Sequence, residues 1–448
     1  MTVETEVPDN PSDDVVEVVS RLIRFDTTNT GEPETTQGEA ECARWVAEQL
    51  AEVGYQPQYL ESGGPGRGNV FVRLKGADSS RGALLIHGHL DVVPAEPADW
   101  SVHPFSGAIE DGYVWGRGAV DMKDMVGMMI VVARQLKRAG IVPPRDLVFA
   151  FVADEEHGGR YGSHWLVDNR PELFDGVTEA IGEVGGFSLT VPRRDGGERR
   201  LYLIETAEKG MQWMRLTARG QAGHGSMAND RNAVTLLAEA VARIGRHQFP
   251  LVMTDTVVEF LAAISDETGL TFDTDSADVE GVIEKLGPMA RMLKAIVRDT
   301  ANPTMLKAGY KANVIPGSAE AVVDCRVLPG RQAAFEAEID ELLGPDVTRE
   351  WIRDLPSYET TFDGDLVDAM NAAVLSVDPD GRTVPYMLSG GTDAKAFARL
   401  GIRCFGFAPL RLPPELDFAS LFHGVDERVP VDALRFGTEV LAHFLTHC

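Results

Sequence analysis

The chain has 448 residues, 44% hydrophobic and 25% charged, enough for two or three domains around a large core. Its formal net charge of −27, from 42 basic against 69 acidic residues, argues against a nucleic-acid partner and against attraction to anionic membranes. No run reaches the roughly 18 apolar residues that span a bilayer. The N-terminal stretch MTVETEVPDNPSDD lacks the positive and apolar regions of a secretory signal. Cys42, Cys325, Cys404 and Cys448 form no C-x-x-C pair, so neither a thiolate metal site nor a disulfide framework is expected, and a cytoplasmic location is the simplest expectation.

Residues 13–24 carry apolar side chains at helical spacing behind an acidic first turn, which predicts a helix. A polar loop follows over 26–36, then a second amphipathic helix over 37–53, stopped by Gly54. The glycine-rich loop 63–69 has the wrong spacing for a dinucleotide fingerprint and reads as a turn. Apolar runs at 69–74 and 83–86 read as strands, the second continuous enough to be buried. Residues 108–110 and 113–115 flank an Asp-Gly pair, a hairpin signal. Asp121 opens an apolar helix to about Arg138; 147–152 and 178–181 are further strands. Strands alternating with helices imply an α/β fold whose mostly parallel sheet is flanked by helices.

From about Ala207 the character changes. A strand, a loop and a helix over 233–245 lead into a long helical or irregular stretch to about Thr300. Strand, helix and strand then follow, up to residue 355. This reads as an α+β unit, 207–355, inserted between a first catalytic part, 1–206, and a second, 356–448.

Five short stretches offer metal-binding side chains: HGHLDVVP with His89 and Asp91, GRGAVDMKD with Asp121, VADEEHGG with Glu155 and Glu156, AIGEVGG with Glu183, and LFHGVDERVP with His423. His89, Glu155, Glu156 and Glu183 follow apolar strands, and in open α/β sheets ligands bind beyond the carboxyl ends of strands. In an H-x-D pair the carboxylate can accept the second imidazole N–H and fix the tautomer facing a metal. Taken alone, a strand-end histidine is more often structural, and Asp121 alone would read as a helix N-cap. Adjacent Glu155 and Glu156 would repel unless a cation lies between them; one can ligate while the other takes a proton from water. Asp154 and His157 read as peripheral, and His87, His103, His164, His247, His443 and His447 as surface or structural. Two divalent cations carry four positive charges; Asp121, Glu156, Glu183 and a hydroxide balance them. Nitrogen and oxygen ligands without thiolate suit Zn²⁺, and also Co²⁺ or Mn²⁺.

These ordered motifs resemble the dinuclear zinc family of aminoacylase, glutamate carboxypeptidase, acetylornithine deacetylase and succinyl-diaminopimelate desuccinylase. The resemblance runs from about residue 13 to the C-terminus. With Trp100 to Phe105 and the long insertion, it looks most like the branch of yeast-carboxypeptidase-S-like enzymes and N-acyl amino-acid hydrolases. It implies that His89 and Glu183 bind one metal, that Glu156 and His423 bind the other, and that Asp121 bridges. It further implies Glu155 as general base, Asp91 as the residue orienting His89, and a cis peptide after Asp121. The insertion resembles the family's lid and dimerisation domain, so a homodimer is possible. His224 in GQAGHGS matches the histidine that reaches the oxyanion, often from the other subunit. Asn313, Arg326, Gly391 and Thr392 match positions that bind the substrate and its free carboxylate. One departure is GEVGG after the strand, where relatives more often carry a second acid or a proline nearby.

The expected activity is hydrolysis of an amide bond beside a free carboxylate, in an N-acyl amino acid or a dipeptide, by a water that Glu155 activates at the two-metal site. The substrate is a small molecule; neither nucleic acid nor membrane is a partner. Peptidase and deacylase readings stay open, and a non-catalytic scaffold on the same fold is the rival. No G-x-S-x-G elbow and no cysteine motif supports a serine or cysteine nucleophile.

Overall fold

The computed structural model describes residues 14–64, 66–272, 283 and 289–448. The acidic tail before residue 14, Pro65 of the glycine-rich loop, and part of the helical or irregular stretch (273–282 and 284–288) lie outside the described residues.

The apolar runs Ala83–His89 and Leu147–Val152 are buried along their whole length. Such strands need cover on both faces. Leu84 and Ile86 accordingly pack into one core and Leu85 into another. On the first face lie the helices Val15–Ile23, Lys123–Arg138, Asp365–Val377 and Val431–His447; on the second lie Ser163–Asn169 and Ala394–Ala398. Asp14 caps the first helix, its carboxylate accepting from Val16 N at 3.0 Å. Each large side chain removed from water in these cores contributes on the order of 1.5–3 kcal/mol.

The strands form a ten-stranded sheet in the order Gln58–Glu61, Gly68–Leu74, Leu147–Val152, Ala83–His89, Val177–Gly182, Arg403–Gly406, Glu198–Glu208 and Tyr358–Glu359; Gly381–Leu388 and Ser188–Pro192 also pair with Glu198–Glu208. The middle of the sheet is parallel: Ala83–His89 pairs in parallel with both neighbours, as does Val177–Gly182. The outer pairings include antiparallel ones. Because His89 sits opposite Val152 and Ile86 opposite Ile181, the loops that leave these three strands emerge at one rim. The fold is therefore α/β, with a central sheet containing parallel strands between helical layers.

Glu198–Glu208 was not legible as a strand, because its polar first residues hide the apolar run in the middle. Through Lys209 it leads into Gly210–Arg219, which lies in a separate antiparallel sheet ordered Thr300–Ala308, Ser318–Val327, Gly210–Arg219, Val347–Leu355. Alternate residues of this sheet pack under the helices Ala233–Arg246 and Gln332–Leu343. The other face carries Met211, Trp213, Asp324, Arg326 and Arg353, all half-buried. The helix Asp255–Thr268 departs from this sheet and packs on Leu201, Leu203, Val384 and Tyr386 of the central sheet.

Candidate metal centre

The rim gathers the residues of all five motifs. His89 Nε2 lies 3.1 Å from Asp121 Oδ1 and 3.4 Å from Glu183 Oε2. His423 Nε2 lies 3.2 Å from Asp121 Oδ2 and 3.2 Å from Glu156 Oε2. Asp121 thus turns one oxygen toward each imidazole, and each imidazole has one further carboxylate of its own. Ligand atoms of His89, Asp121 and Glu156 lie within 4.8 Å of one another, as do those of His89, Glu155 and Glu183. The Asp121–Met122 peptide is cis.

Local backbone geometry aims these side chains. Among the described residues five non-glycine residues have positive φ, and three of them are Asp154, Val184 and His423, which precede, follow or supply a site carboxylate or imidazole. A β-branched valine in this region is a steric outlier, and such outliers concentrate where function over-determines the backbone.

The electrostatics fit a cationic guest. Burial and the neighbouring Glu183 push the Glu155 carboxyl well above its ordinary range. Burial raises Glu183 to about 8 and Glu156 to about 7. Hydrogen bonds to Asp121 and Glu156 raise His423 to about 10. Burial works against charge on His89, but Glu183 and the hydrogen bonds to Asp121 and Asp91 outweigh it and hold the imidazole well above its usual value. Glu156 Oε1 is buried without a hydrogen-bond partner. A crowd of carboxylates with an orphaned buried oxygen, arranged as two corners around a shared Asp121, suits a pair of divalent cations with nitrogen and oxygen ligands.

Asp91 does more than the H-x-D spacing suggested. His89 Nδ1 meets the Asp91 main-chain oxygen at 3.0 Å, closer than the carboxylate at 3.5 Å. The carboxylate instead accepts from Glu155 N at 3.0 Å, Glu156 N at 3.1 Å and Asn29 Nδ2 at 2.9 Å, so it holds the turn that carries both glutamates. Asp154, expected to be peripheral, is buried and accepts from Asn29 at 2.9 Å and Tyr161 N at 3.0 Å, with Arg67 3.3 Å away. Glu427 was also missed. Its buried carboxylate accepts from Arg117, Gly118 N, Val120 N and Asp121 N at 2.7–3.2 Å, which cradles the loop that delivers Asp121. Its place four residues after His423 in the same motif was the available signal.

A cavity of about 660 Å³ opens over the centre. Phe187, Tyr386, Leu388, Phe418 and Phe422 line one part; Met211, Trp213, Arg326, Arg353 and Gly391 line another. Arg326 is held by Asp324 through two bonds of 2.7 and 3.0 Å. Thr392 is buried, and its hydroxyl and N–H both donate to Glu208, so neither donor is offered to the cavity. His224 and Asn313 are not gathered. Both are exposed, adjacent across the small strand pair Gly223–His224 and Val314–Ile315, and outside the cavity wall.

The model of peptidase family M20/M25/M40 matches residues 85–447. The chain belongs to this family. It is 29% identical over 377 residues to the probable carboxypeptidase S-like 2 of Dictyostelium discoideum, covering 81% of this chain and 71% of that protein. It is 29% identical to the human N-fatty-acyl-amino acid synthase/hydrolase PM20D1, covering 80% and 73%. The M20 family metallo-carboxypeptidase Sso-CP2 from Sulfolobus solfataricus superposes with a TM-score of 0.70 at 18% identity, over 97% of this chain and 98% of that one. This M20/M25/M40 member is a hydrolase of amide bonds, of a metal-dependent family.

Proposed function

We propose that this enzyme hydrolyses the amide bond of N-acyl amino acids with a large apolar acyl group, keeping the amino acid's carboxylate free. The observation that carries this reading is the cavity over the candidate metal centre, whose wall combines a contiguous aromatic cluster, Phe187, Tyr386, Phe418 and Phe422, with the guanidinium groups of Arg326 and Arg353. The name of the relative that acts on fatty-acyl amino acids supports the same substrate class. A carboxypeptidase or dipeptidase is the second reading, favoured by the names of the other two similar proteins. A non-catalytic scaffold has no support, since the expected ligands and Glu155 converge.

His89, Glu183 and Asp121 would hold one cation, and His423, Glu156 and Asp121 the other, with Zn²⁺ the first candidate and Co²⁺ or Mn²⁺ alternatives. When bound, such cations polarise an amide carbonyl and lower the pKa of water to near neutrality. Glu155 then takes the proton of the attacking water and delivers it to the leaving amine nitrogen. Asp91 keeps Glu155 in place through the main chain. The 207–355 unit acts as a lid and dimerisation element between the catalytic parts 1–206 and 356–448. In this reading His224 and Asn313 complete the site from the second copy of a homodimer. The four cysteines, buried and free, suit a cytoplasmic enzyme.

The test is amine release by metal-reconstituted protein on N-acyl amino acids of increasing chain length and on dipeptides. Cleavage of long-chain N-acyl amino acids, abolished by a chelator and restored by Zn²⁺, is expected. Turnover that survives the chelator would overturn the reading, and cleavage of dipeptides alone would favour the second.

A further inference from the structure

We infer that Arg353, laid on the indole of Trp213, is the main anchor for the substrate's free carboxylate, ahead of Arg326; the inference rests on the N-acyl amino-acid reading. Both line the cavity, and among the described residues they are the only arginines or lysines that do; the cavity's other basic group, His423, is already engaged by Asp121 and Glu156. They differ in what already occupies them. Arg326 forms a forked pair with Asp324 two residues away on the same strand, so both edges of its carboxylate-matching fork are used. Arg353 has no such partner among the described residues. Its guanidinium lies 4.7 Å from the centroid of the Trp213 ring, a flat support that restricts it without neutralising it.

The strand register builds this arrangement. Gly210–Arg219 lies between the other two strands, with Trp213 opposite Asp324 on one side and opposite Arg353 on the other. Asp324 therefore falls next to Arg326 and across the tryptophan from Arg353. Arg353 also packs against Gly158, at the end of the turn that carries Glu155 and Glu156: a Cβ at Gly158 would collide with its guanidinium. Gly158 has φ +94, a conformation that favours glycine in any case. The cation thus stands at the junction of the second sheet and the catalytic rim. A carboxylate held there leaves the amide over the metal centre and the acyl group free to lie along Phe187, Tyr386, Phe418 and Phe422.

The experiment compares an N-dodecanoyl amino acid with its carboxamide, which has nearly the same shape and no charge. Turnover and calorimetric binding are measured on metal-loaded wild type, Arg353→Ala, Arg353→Lys and Arg326→Ala. Wild type should favour the acid by roughly 10- to 100-fold, mainly through KM and Kd, as expected of a charged hydrogen-bonded pair. Arg353→Ala should reduce that preference to within about threefold, a difference of less than 1 kcal/mol. Arg353→Lys should restore part of it, and Arg326→Ala should keep most of it. If Arg353 were only a latch between the sheet and the rim, Arg353→Ala would weaken acid and amide equally, which overturns the inference. Loss of the preference in Arg326→Ala overturns it too. If wild type cleaves neither ligand yet binds the acid preferentially through Arg353, the hydrolase reading fails and the anchor stands; absence of any preferential binding removes the anchor.

Discussion

Around the candidate metal centre the fold supplies a partner for nearly every group, whereas the His224–Asn313 patch is exposed and, among the described residues, the His224 imidazole bonds only to Ser226. Asp91 fixes the Glu155–Glu156 turn, Glu427 fixes the Asp121 loop, and Asn29 ties Asp91 to Asp154. The first region is preorganised within one chain; the second becomes part of a site only when something else approaches it. Under the proposed function, the first region would do the chemistry within one chain and the second would depend on assembly or closure.

The largest expected effect tests the preorganised side. Glu155→Ala should lower kcat on the order of 10³- to 10⁴-fold, the upper part of what a general acid–base group contributes, while metal content by elemental analysis stays at the wild-type level. Turnover near wild type would remove Glu155 as the base. Next comes the cradle. Glu427→Ala strands Arg117 and three main-chain N–H groups in a buried place, and should cost about 3–5 kcal/mol in urea unfolding together with a loss of metal affinity. Full stability and full metal binding would mean that the loop carrying Asp121 holds itself in position.

Much of this region was legible in the chain. The apolar runs ending at His89 and Val152 read as buried strands and the shorter run ending at Gly182 as a third, and carboxyl ends of such strands share a rim, so the candidate ligands were visible as residue types at strand ends. The supporting residues were less visible. Asp154, Asn29 and Arg67 come from three distant segments, and nothing local in a polar loop announces that its asparagine will bridge two buried carboxylates. Arg353 sits in a strand that mixes charged and apolar residues in pairs, VTREWIRDL, and looks like any solvated position; the register beside Trp213 distinguishes it. Thr392 illustrates the opposite case, a residue matched by motif whose donors the fold has already given to Glu208.

The comparison breaks most directly at His224. If the exposed patch completes the site, His224→Ala should reduce kcat on the order of 100-fold, the scale of one oxyanion donor, with stability and metal content unchanged. Specific activity of the wild type should then fall on dilution through the dimer–monomer transition, read by sedimentation velocity at matched concentrations. A fully active monomer, or an unaffected variant, would make the patch ordinary surface.

The smallest effect comes from a charged cluster outside the centre, where the start of the strand Glu198–Glu208 meets the end of the helix Asp365–Val377. Asp378 accepts from Arg200 and, at 2.7 Å, from Tyr202, and the hydrogen bond from Arg200 holds its carboxyl below the usual range despite burial. A depressed carboxyl contributes stability that is present above the ordinary carboxylate range and is lost as pH falls through its lowered folded value. Arg200 is 37% exposed, so solvent screens the pair and Asp378→Asn should cost only about 1 kcal/mol near neutral pH. The gap between the variant and wild type should narrow in urea titrations run toward strongly acid pH, while turnover and metal content at neutral pH stay unchanged. A gap that widens toward acid would mean that Asp378 is stabilised protonated. A loss of turnover would mean that this far end of the strand, through Glu198–Glu208 and Lys209, couples to the second sheet that carries Trp213 and Arg353.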